Sequence, residues 1–286
     1  MNEQWKDYEI IATGGGEKLE RWGDVILLRP DPQAIWDAPF DLSAYKGLNA
    51  VYSRSAKGGG GWQNLKKYPA EWNITYRGLK FLIKPMGFKH TGLFPEQAHN
   101  WDLMTDIVKA GGKRLKVLNL FGYTGGASVA LAKAGAIVTH VDAAKNMVER
   151  CRQNAALTGC PPDGIRYIVD DCFKFVSREI KRGNKYDGVL MDPPSYGRGP
   201  DGEVWKLENS VSSLVAETVK LTDNPHFFLI NSYTTGLQPT VIENILKVSF
   251  GDGGSISAYE LTLPTGDRGI KLPCGCSGMY RKDKEL

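Results

Sequence analysis

From Lys113 onward, short apolar runs alternate with helix-like segments, and no other feature of the sequence restricts the fold as much. "RLKVLNLF" ends at Phe121 and is followed by "GYTGGASVALAKAG", a glycine loop opening a helix of small residues. "AIVTHVD" is the second run, and "AAKNMVERCRQNAALTG" is a second helix closed by Gly159. "IRYIVDD", "YDGVLMDPP" and "HFFLINSYTTG" continue the series. Continuous β-branched runs bounded by turns and alternating with helices predict a doubly wound α/β fold, with a parallel sheet covered on both faces. "GSISAYELTLPT" and "GIKLPCGCSGMYR" follow without a helix between them, which predicts a C-terminal antiparallel hairpin.

The first ninety residues read differently. "YEIIATGGGEKLERWGDVILLRPDP" offers two short strands around a turn, and "WNITYRGLKFLIKP" offers another alternating pair. We therefore expect a small β-rich module over residues 1–90 and the α/β domain over 91–286. The net charge of +4 is too small to establish a nucleic-acid partner, so its distribution matters more. Between Ser43 and Thr91 stand Lys46, Arg54, Lys57, Lys66, Lys67, Arg77, Lys80, Lys84 and Lys89, against Glu71 alone. Eight aromatic residues, from Tyr45 to Phe88, are interleaved with them. Basic residues neutralise phosphates and aromatics stack on unpaired bases, so the stretch is an RNA-binding candidate. The competing reading makes the aromatics a small core and the lysines its solvated face. "KGGGGW" at 57–62 reads as a mobile loop.

Five cysteines, an odd count with no framework spacing, read as reduced thiols. The opening "MNEQWKDYEI" is polar, and no apolar run approaches a bilayer's span. A cytoplasmic protein is expected. His90, His99, His140 and His226 show no metal spacing, so no metal is expected.

The loop "NLFGYTGGAS" falls where the first strand of a doubly wound sheet meets its helix, which is where such sheets bind ligands. Gly122, Gly125 and Gly126 let the backbone turn tightly and approach a ligand. The second run ends at Asp142, and an acid there can accept from both hydroxyls of a ribose. The loop is G-x-x-G-G, which is neither the dinucleotide fingerprint nor the phosphate loop. S-adenosylmethionine, which has adenine and ribose but no pyrophosphate, fits it better than NAD.

Together, "VLNLFGYTGGASVALAKAGA", "VTHVDAAKNMVERCRQNAALTG", the pair "DD" and "MDPPSYGRG" resemble the class I S-adenosylmethionine-dependent methyltransferases, which are Rossmann-like. More narrowly, they are similar to bacterial 23S ribosomal RNA base methyltransferases. The resemblance runs from about Phe81 to the C-terminus. "TGLFPEQAHNW" is similar to a G-x-[FY]-x-D-Q-R segment of that family, with Glu96 and Ala98 in place of the acid and the arginine, so only Phe94 and Gln97 carry over. The first eighty residues do not resemble the RNA-binding PUA module of some relatives. The resemblance implies that Phe121, Gly122, Tyr123, Thr124 and Gly125 line the methionine part of the cofactor. It implies that Asp142 holds the ribose, that Ala143 lies beside the adenine, and that Asp170 or Asp171 accepts from the adenine amine. One of that pair can instead cap the helix that follows.

The resemblance places Asp192, Pro193 and Pro194 at the fourth strand end, beside the reactive methyl. There Asp192 and the outward-pointing Pro194 carbonyl would accept the N–H bonds of an exocyclic amine, and guanine N7 would need less help. Tyr196 is the stacking candidate for a base taken out of its stack, and Arg198 is a phosphate candidate. Cytosine C5 chemistry needs a cysteine thiolate, but Ser195 and "NSYTTGL" occupy the family's two positions for one. Cys274 and Cys276 remain and read as structural. The expectation is methylation of a ribosomal RNA base, guanine ahead of cytosine C5. The alternatives are a small-molecule or protein acceptor, a non-catalytic RNA-binding protein, and a nicotinamide oxidoreductase.

Overall fold

Alternating side chains build the N-terminal part of the protein around one sheet. The computed structural model describes residues 5–55, 59–198 and 204–282. One unit comprises Met1–Glu96 with Thr262–Cys274, and a second comprises Gln97–Leu261 with Gly275–Leu286. In the first unit, strands β1 (Tyr8–Gly14), β2 (Glu17–Trp22), β3 (Val25–Pro30), β4 (Ala50–Arg54) and β5 (Gly60–Asn64) lie in that order. Neighbours are antiparallel except β3 and β4.

The stretch expected to hold two strands holds three. β2 escapes the pattern because Glu20 points inward. Successive strand residues face opposite sides, yet Leu19 and Glu20 are both fully buried, so both faces of the sheet are covered. Leu19 packs with Ala12, Leu28, Leu42 and Leu48. On the other face Arg29 grips Glu20 with Nε at 2.6 Å and a terminal nitrogen at 2.8 Å, and the Tyr8 hydroxyl donates to it at 2.7 Å. Burial opposes the charge of Glu20, but Arg29, Lys18 and these hydrogen bonds outweigh it and hold the carboxyl at about 2.

The "KGGGGW" segment is also corrected in part. Gly60 to Trp62 belong to β5 and pair with β4, Trp62 opposite Tyr52, whereas Lys57 lies outside the described residues. A separate hairpin, β6 (Trp72–Tyr76) and β7 (Leu79–Ile83), turns through Arg77 and Gly78, both at positive φ. This is the two-residue turn whose twist suits a hairpin.

The second unit follows the strand–helix alternation. In chain order come α1 (Ala98–Ala110), β8 (Lys116–Leu120), α2 (Gly126–Lys133), β9 (Ile137–Asp142), α3 (Lys145–Thr158), β10 (Ile165–Val169) and α4 (Cys172–Lys181). Then come β11 (Tyr186–Met191), the short β12 (Tyr196–Arg198) and β13 (Val204–Lys206), α5 (Leu207–Val219), β14 (Thr222–Ser232), α6 (Pro239–Phe250), β15 (Ser255–Pro264) and β16 (Lys271–Arg281).

The main sheet has the order β10-β9-β8-β11-β14-β16-β15. Its first five strands are parallel and β16 runs antiparallel to β14. Val189 to Met191 and Phe227 to Ile230 are buried without interruption, as in a sheet covered on both faces. The chain winds outward from β8 to β10 and then returns to β11 on the other side of β8. That reversal leaves a crevice at the carboxyl ends of β8 and β11.

Candidate active site

The loop after β8 is shaped from beneath as much as from above. Phe121 and Tyr123 adopt left-handed φ of 57° and 50°, a costly conformation for residues with a side chain. Gly122 sits so close to His140 that a Cβ would lie 2.3 Å from its ring, and one on Gly125 would lie 2.1 Å from the Cys151 sulfur. A Cβ on Gly126 would meet the Trp101 ring at 2.6 Å. These glycines let the loop sit down on the interior, a role beyond the tight turn and ligand approach expected of them.

His140 is fully buried and burial lowers it to about 4, so it is neutral under the loop. Asn119 donates to the Ser128 hydroxyl at 2.8 Å, and that hydroxyl lies 2.9 Å from His140 Nδ1.

Asp142, at the end of β9, locks the loop from the side. Its two oxygens accept from the backbone N–H of Tyr123 and of Ala144, each at 2.8 Å. Burial raises its carboxyl, and these two bonds moderate the rise. Each oxygen keeps a second lone pair, which suits a vicinal diol. Ala143 follows directly on the same strand end.

The acids after β10 divide their work. Asp171 is the N-cap of α4, its Oδ1 accepting from Lys174 N–H at 2.9 Å. Asp170 forms an ion pair with Arg178.

At the end of β11, the N–H of half-buried Asp192 donates to the Leu120 carbonyl at 3.3 Å. The Pro194 carbonyl does not stand open as the sequence reading has it. Trp205 Nε1 donates to it at 2.7 Å, whereas among the described residues the Pro193 carbonyl accepts no hydrogen bond. Tyr196 lies on β12, outside the core and 52% exposed. The side chain of Arg198 lies outside the described residues. Trp205 was missed by the sequence reading, and its spacing after a glycine-rich tail carries no signal of its own.

Gln97 and Phe94 part company. Phe94 belongs to the first unit, where its ring lies 5.4 Å from that of His90. Gln97 spends most of its side chain inside the second unit. Its oxygen accepts from Asn100 and Asn231, at 2.8 and 3.1 Å, and its nitrogen donates to the Tyr233 hydroxyl at 2.7 Å. Asn100 also reaches Ser277, and Tyr259 donates to Asn100, so this buried polar network fixes the end of β14.

The two late cysteines are protonated thiols. Burial pushes Cys274 well above the usual thiol range and Cys276 up to about 11, and the Cys276 S–H donates to the Leu237 carbonyl. Among the described residues no three His, Cys, Asp or Glu side chains are grouped as metal ligands.

The aromatics of the basic stretch are mostly structural. Tyr52, Tyr76 and Phe81 are buried, and Trp62 and Trp72 donate to the carbonyls of Met86 and Trp22. Phe88 is 67% exposed, and Lys66 and Lys67 stand in solvent.

A glycine loop seated on a neutral histidine, an acid that accepts a backbone N–H of that loop, and an acid–proline–proline corner across the crevice fit a nucleoside-binding transferase of the doubly wound class. The loop from Phe121 to Gly126 contains no lysine or arginine, so it suits a cationic sulfonium better than a phosphate chain. The chain belongs to the S-adenosylmethionine-dependent methyltransferase family, whose pattern matches residues 18–204 and so reaches far into the first unit, beyond the Phe81 start of the resemblance seen in the sequence. A solved S-adenosylmethionine-dependent methyltransferase from Agrobacterium tumefaciens shares 32% identity and superposes with a TM-score of 0.91, over 98% of this chain and 91% of that one.

Among curated relatives, the ribosomal RNA large subunit methyltransferase I of Aeromonas hydrophila is 34% identical over 120 residues, 42% of this chain and 29% of the relative. The ribosomal RNA large subunit methyltransferase K/L of Shewanella baltica is 32% identical over 167 residues, 58% of this chain and 23% of the relative. The chain thus spans under a third of the length of these relatives. The protein is a methyltransferase and S-adenosylmethionine is its cofactor.

Proposed function

We propose that this enzyme methylates a ribosomal RNA base, a guanine nitrogen ahead of cytosine C5. The observation that carries the reading is the acceptor corner. It offers the Asp192 carboxylate and the Pro193 carbonyl and is supplied with no thiolate, since Ser195 and the stretch "NSYTTGL" stand in the family's two cysteine positions and Cys274 and Cys276 stay protonated. Both curated relatives described above act, by name, on large-subunit ribosomal RNA.

The cofactor supplies an electrophilic methyl group on a sulfonium. Asp142 holds the ribose hydroxyls on the lone pairs that Tyr123 and Ala144 leave open. Of the two acids after β10, we assign the adenine amine to Asp171, whose Oδ2 has no partner among the described residues while Asp170 is paired with Arg178. On the acceptor side, Asp192 and the Pro193 carbonyl accept the N–H bonds of an exocyclic amine and turn its lone pair towards the methyl. Asp192 then holds the proton that the amine sheds. Tyr196 stacks on the extruded base. The basic face carrying Lys66 and Lys67 meets the phosphates, and the free thiols support a cytoplasmic location.

The test is to incubate the protein with labelled S-adenosylmethionine and bacterial RNA lacking the modification, then identify the labelled nucleoside. An N-methylated guanosine is expected. Labelled 5-methylcytidine would refute the thiol-free reading. Cofactor binding without label in any RNA would move the acceptor to a small molecule or a protein.

A further inference from the structure

The two proline rings at the corner fix φ at Pro193 and Pro194, and a residue that precedes a proline, as Pro193 does, is confined to extended ψ. The torsion left open is ψ of Pro194, which sets where its carbonyl and the following chain point. Trp205 closes it. It sits on β13 opposite Gly197 of β12, and its indole N–H donates to the Pro194 carbonyl at 2.7 Å. Two residues on, the Leu207 N–H donates to the Ser195 carbonyl at 3.1 Å and holds the same turn from the other side.

The other end of the indole points to the cofactor side. Its ring lies 4.7 Å from Phe173, tilted by 56°, and Phe173 meets Phe121 edge-on at 6.1 Å. Phe121 is the first residue of the glycine loop, in left-handed backbone, and its N–H donates to the Cys172 sulfur at 3.3 Å. Three rings therefore run from the cofactor loop, past the start of α4, to the acceptor corner. A tryptophan needed only for packing in so short a hairpin has no call on a carbonyl of the preceding loop, and phenylalanine or leucine would serve it equally.

We propose that Trp205 is a positioning residue. Its indole N–H sets the direction of the Asp192–Pro194 corner, and its contact with Phe173 makes that direction sensitive to the cofactor. This rests on the reading of the corner as the acceptor site, and it adds a specific consequence. Occupancy of the cofactor pocket prepares the corner, and by reciprocity the corner's state feeds back on cofactor affinity.

Two measurements test it. In Trp205→Phe the ring contact survives and the N–H is lost. We expect kcat to fall about tenfold, the worth of one well-made hydrogen bond, with cofactor affinity within about twofold because the packing survives. Trp205→Ala should lose both and also weaken the cofactor several-fold. An unchanged kcat in a folded Trp205→Phe would overturn the positioning role. The second measurement needs no acceptor. The seven tryptophans give indole N–H resonances in a nitrogen–proton spectrum, and the one missing from Trp205→Phe is Trp205. Adding S-adenosylhomocysteine should displace it. A resonance that stays put while calorimetry shows binding would break the link to the cofactor side. If the RNA reading fails, no nucleoside is labelled, yet this resonance still moves, so the two failures are distinguishable.

Discussion

The loop from Phe121 to Gly125 and the corner from Asp192 to Ser195 stand at the ends of neighbouring strands, yet they are held in opposite ways. The loop is bound by backbone. The Tyr123 N–H closes on Asp142, which the Ala144 N–H holds from the other oxygen, and glycines at 122 and 125 let the loop rest on His140 and Cys151. The corner is bound by covalent ring geometry and one long-range side chain, Trp205, from a hairpin that carries half-exposed Tyr196. A cofactor common to many enzymes calls for a fixed cradle made of local contacts. An acceptor that must enter and leave calls for a rigid tip on an adjustable arm. The comparison separates two sets of effects, binding on one side and turnover on the other.

The largest effect should come from the corner. Asp192→Ala removes the carboxylate that, on the proposed reading, orients the acceptor amine and takes its proton. Turnover should fall by about a thousandfold, within the range of general-base losses, while cofactor titration stays close to wild type. A parallel loss of cofactor binding would erase the division. On the loop side the pattern should invert. Asp142→Ala leaves the Tyr123 and Ala144 N–H groups without their acceptor and removes the proposed ribose contact. Cofactor Kd should rise by about thirtyfold, equivalent to ~2 kcal/mol, and kcat at saturating cofactor should change far less.

How legible each side was follows from the same difference. The strand–helix series and Asp142 could be read directly, because buried parallel strands are continuous apolar runs and a strand-end acid follows from them. The choice between Asp170 and Asp171 could not be read. Both fit a cap, and only the Lys174 N–H and the Arg178 charge tell them apart. Trp205 was invisible because its partner lies across a turn whose register nothing in the residues announces. β2 was invisible because Glu20, a charge on an inward face, breaks the alternation that marks a strand, and only Arg29 and Tyr8 make that burial tolerable. The aromatic residues of the basic stretch misled in the other direction. Spacing cannot tell a stacking ring from a core ring, and Tyr76 and Phe81 are core.

The pH dependence sharpens the contrast further. Burial raises the Asp142 carboxyl, so its folded value lies above its unfolded one. Ionised Asp142 therefore costs folding stability above the folded value, and that cost is relieved as pH falls through it. Cofactor binding uses the ionised form and should move the other way, weakening by up to about tenfold per pH unit once Asp142 protonates. Titrating cofactor from neutral pH downward, beside the stability difference between wild type and Asp142→Ala, should show the two slopes with opposite sign. Equal signs would mean that another group dominates the cradle.

The smallest effect belongs to the basic face of the first unit. Losing both Lys66 and Lys67 removes two solvated charges, and neither the cofactor Kd nor kcat at saturating RNA should move. RNA affinity at moderate salt should drop several-fold. The slope of log affinity against log salt should shrink by ~1.4, since a single strand releases ~0.7 counterion per neutralised phosphate. The change in slope decides the matter better than the affinity does. A general loss of shape would weaken binding at every salt and leave the slope intact, whereas the loss of phosphate contacts weakens binding most where salt is lowest. A wild-type slope in the double variant would return these lysines to the ordinary solvated surface and leave RNA recognition to the corner and Tyr196.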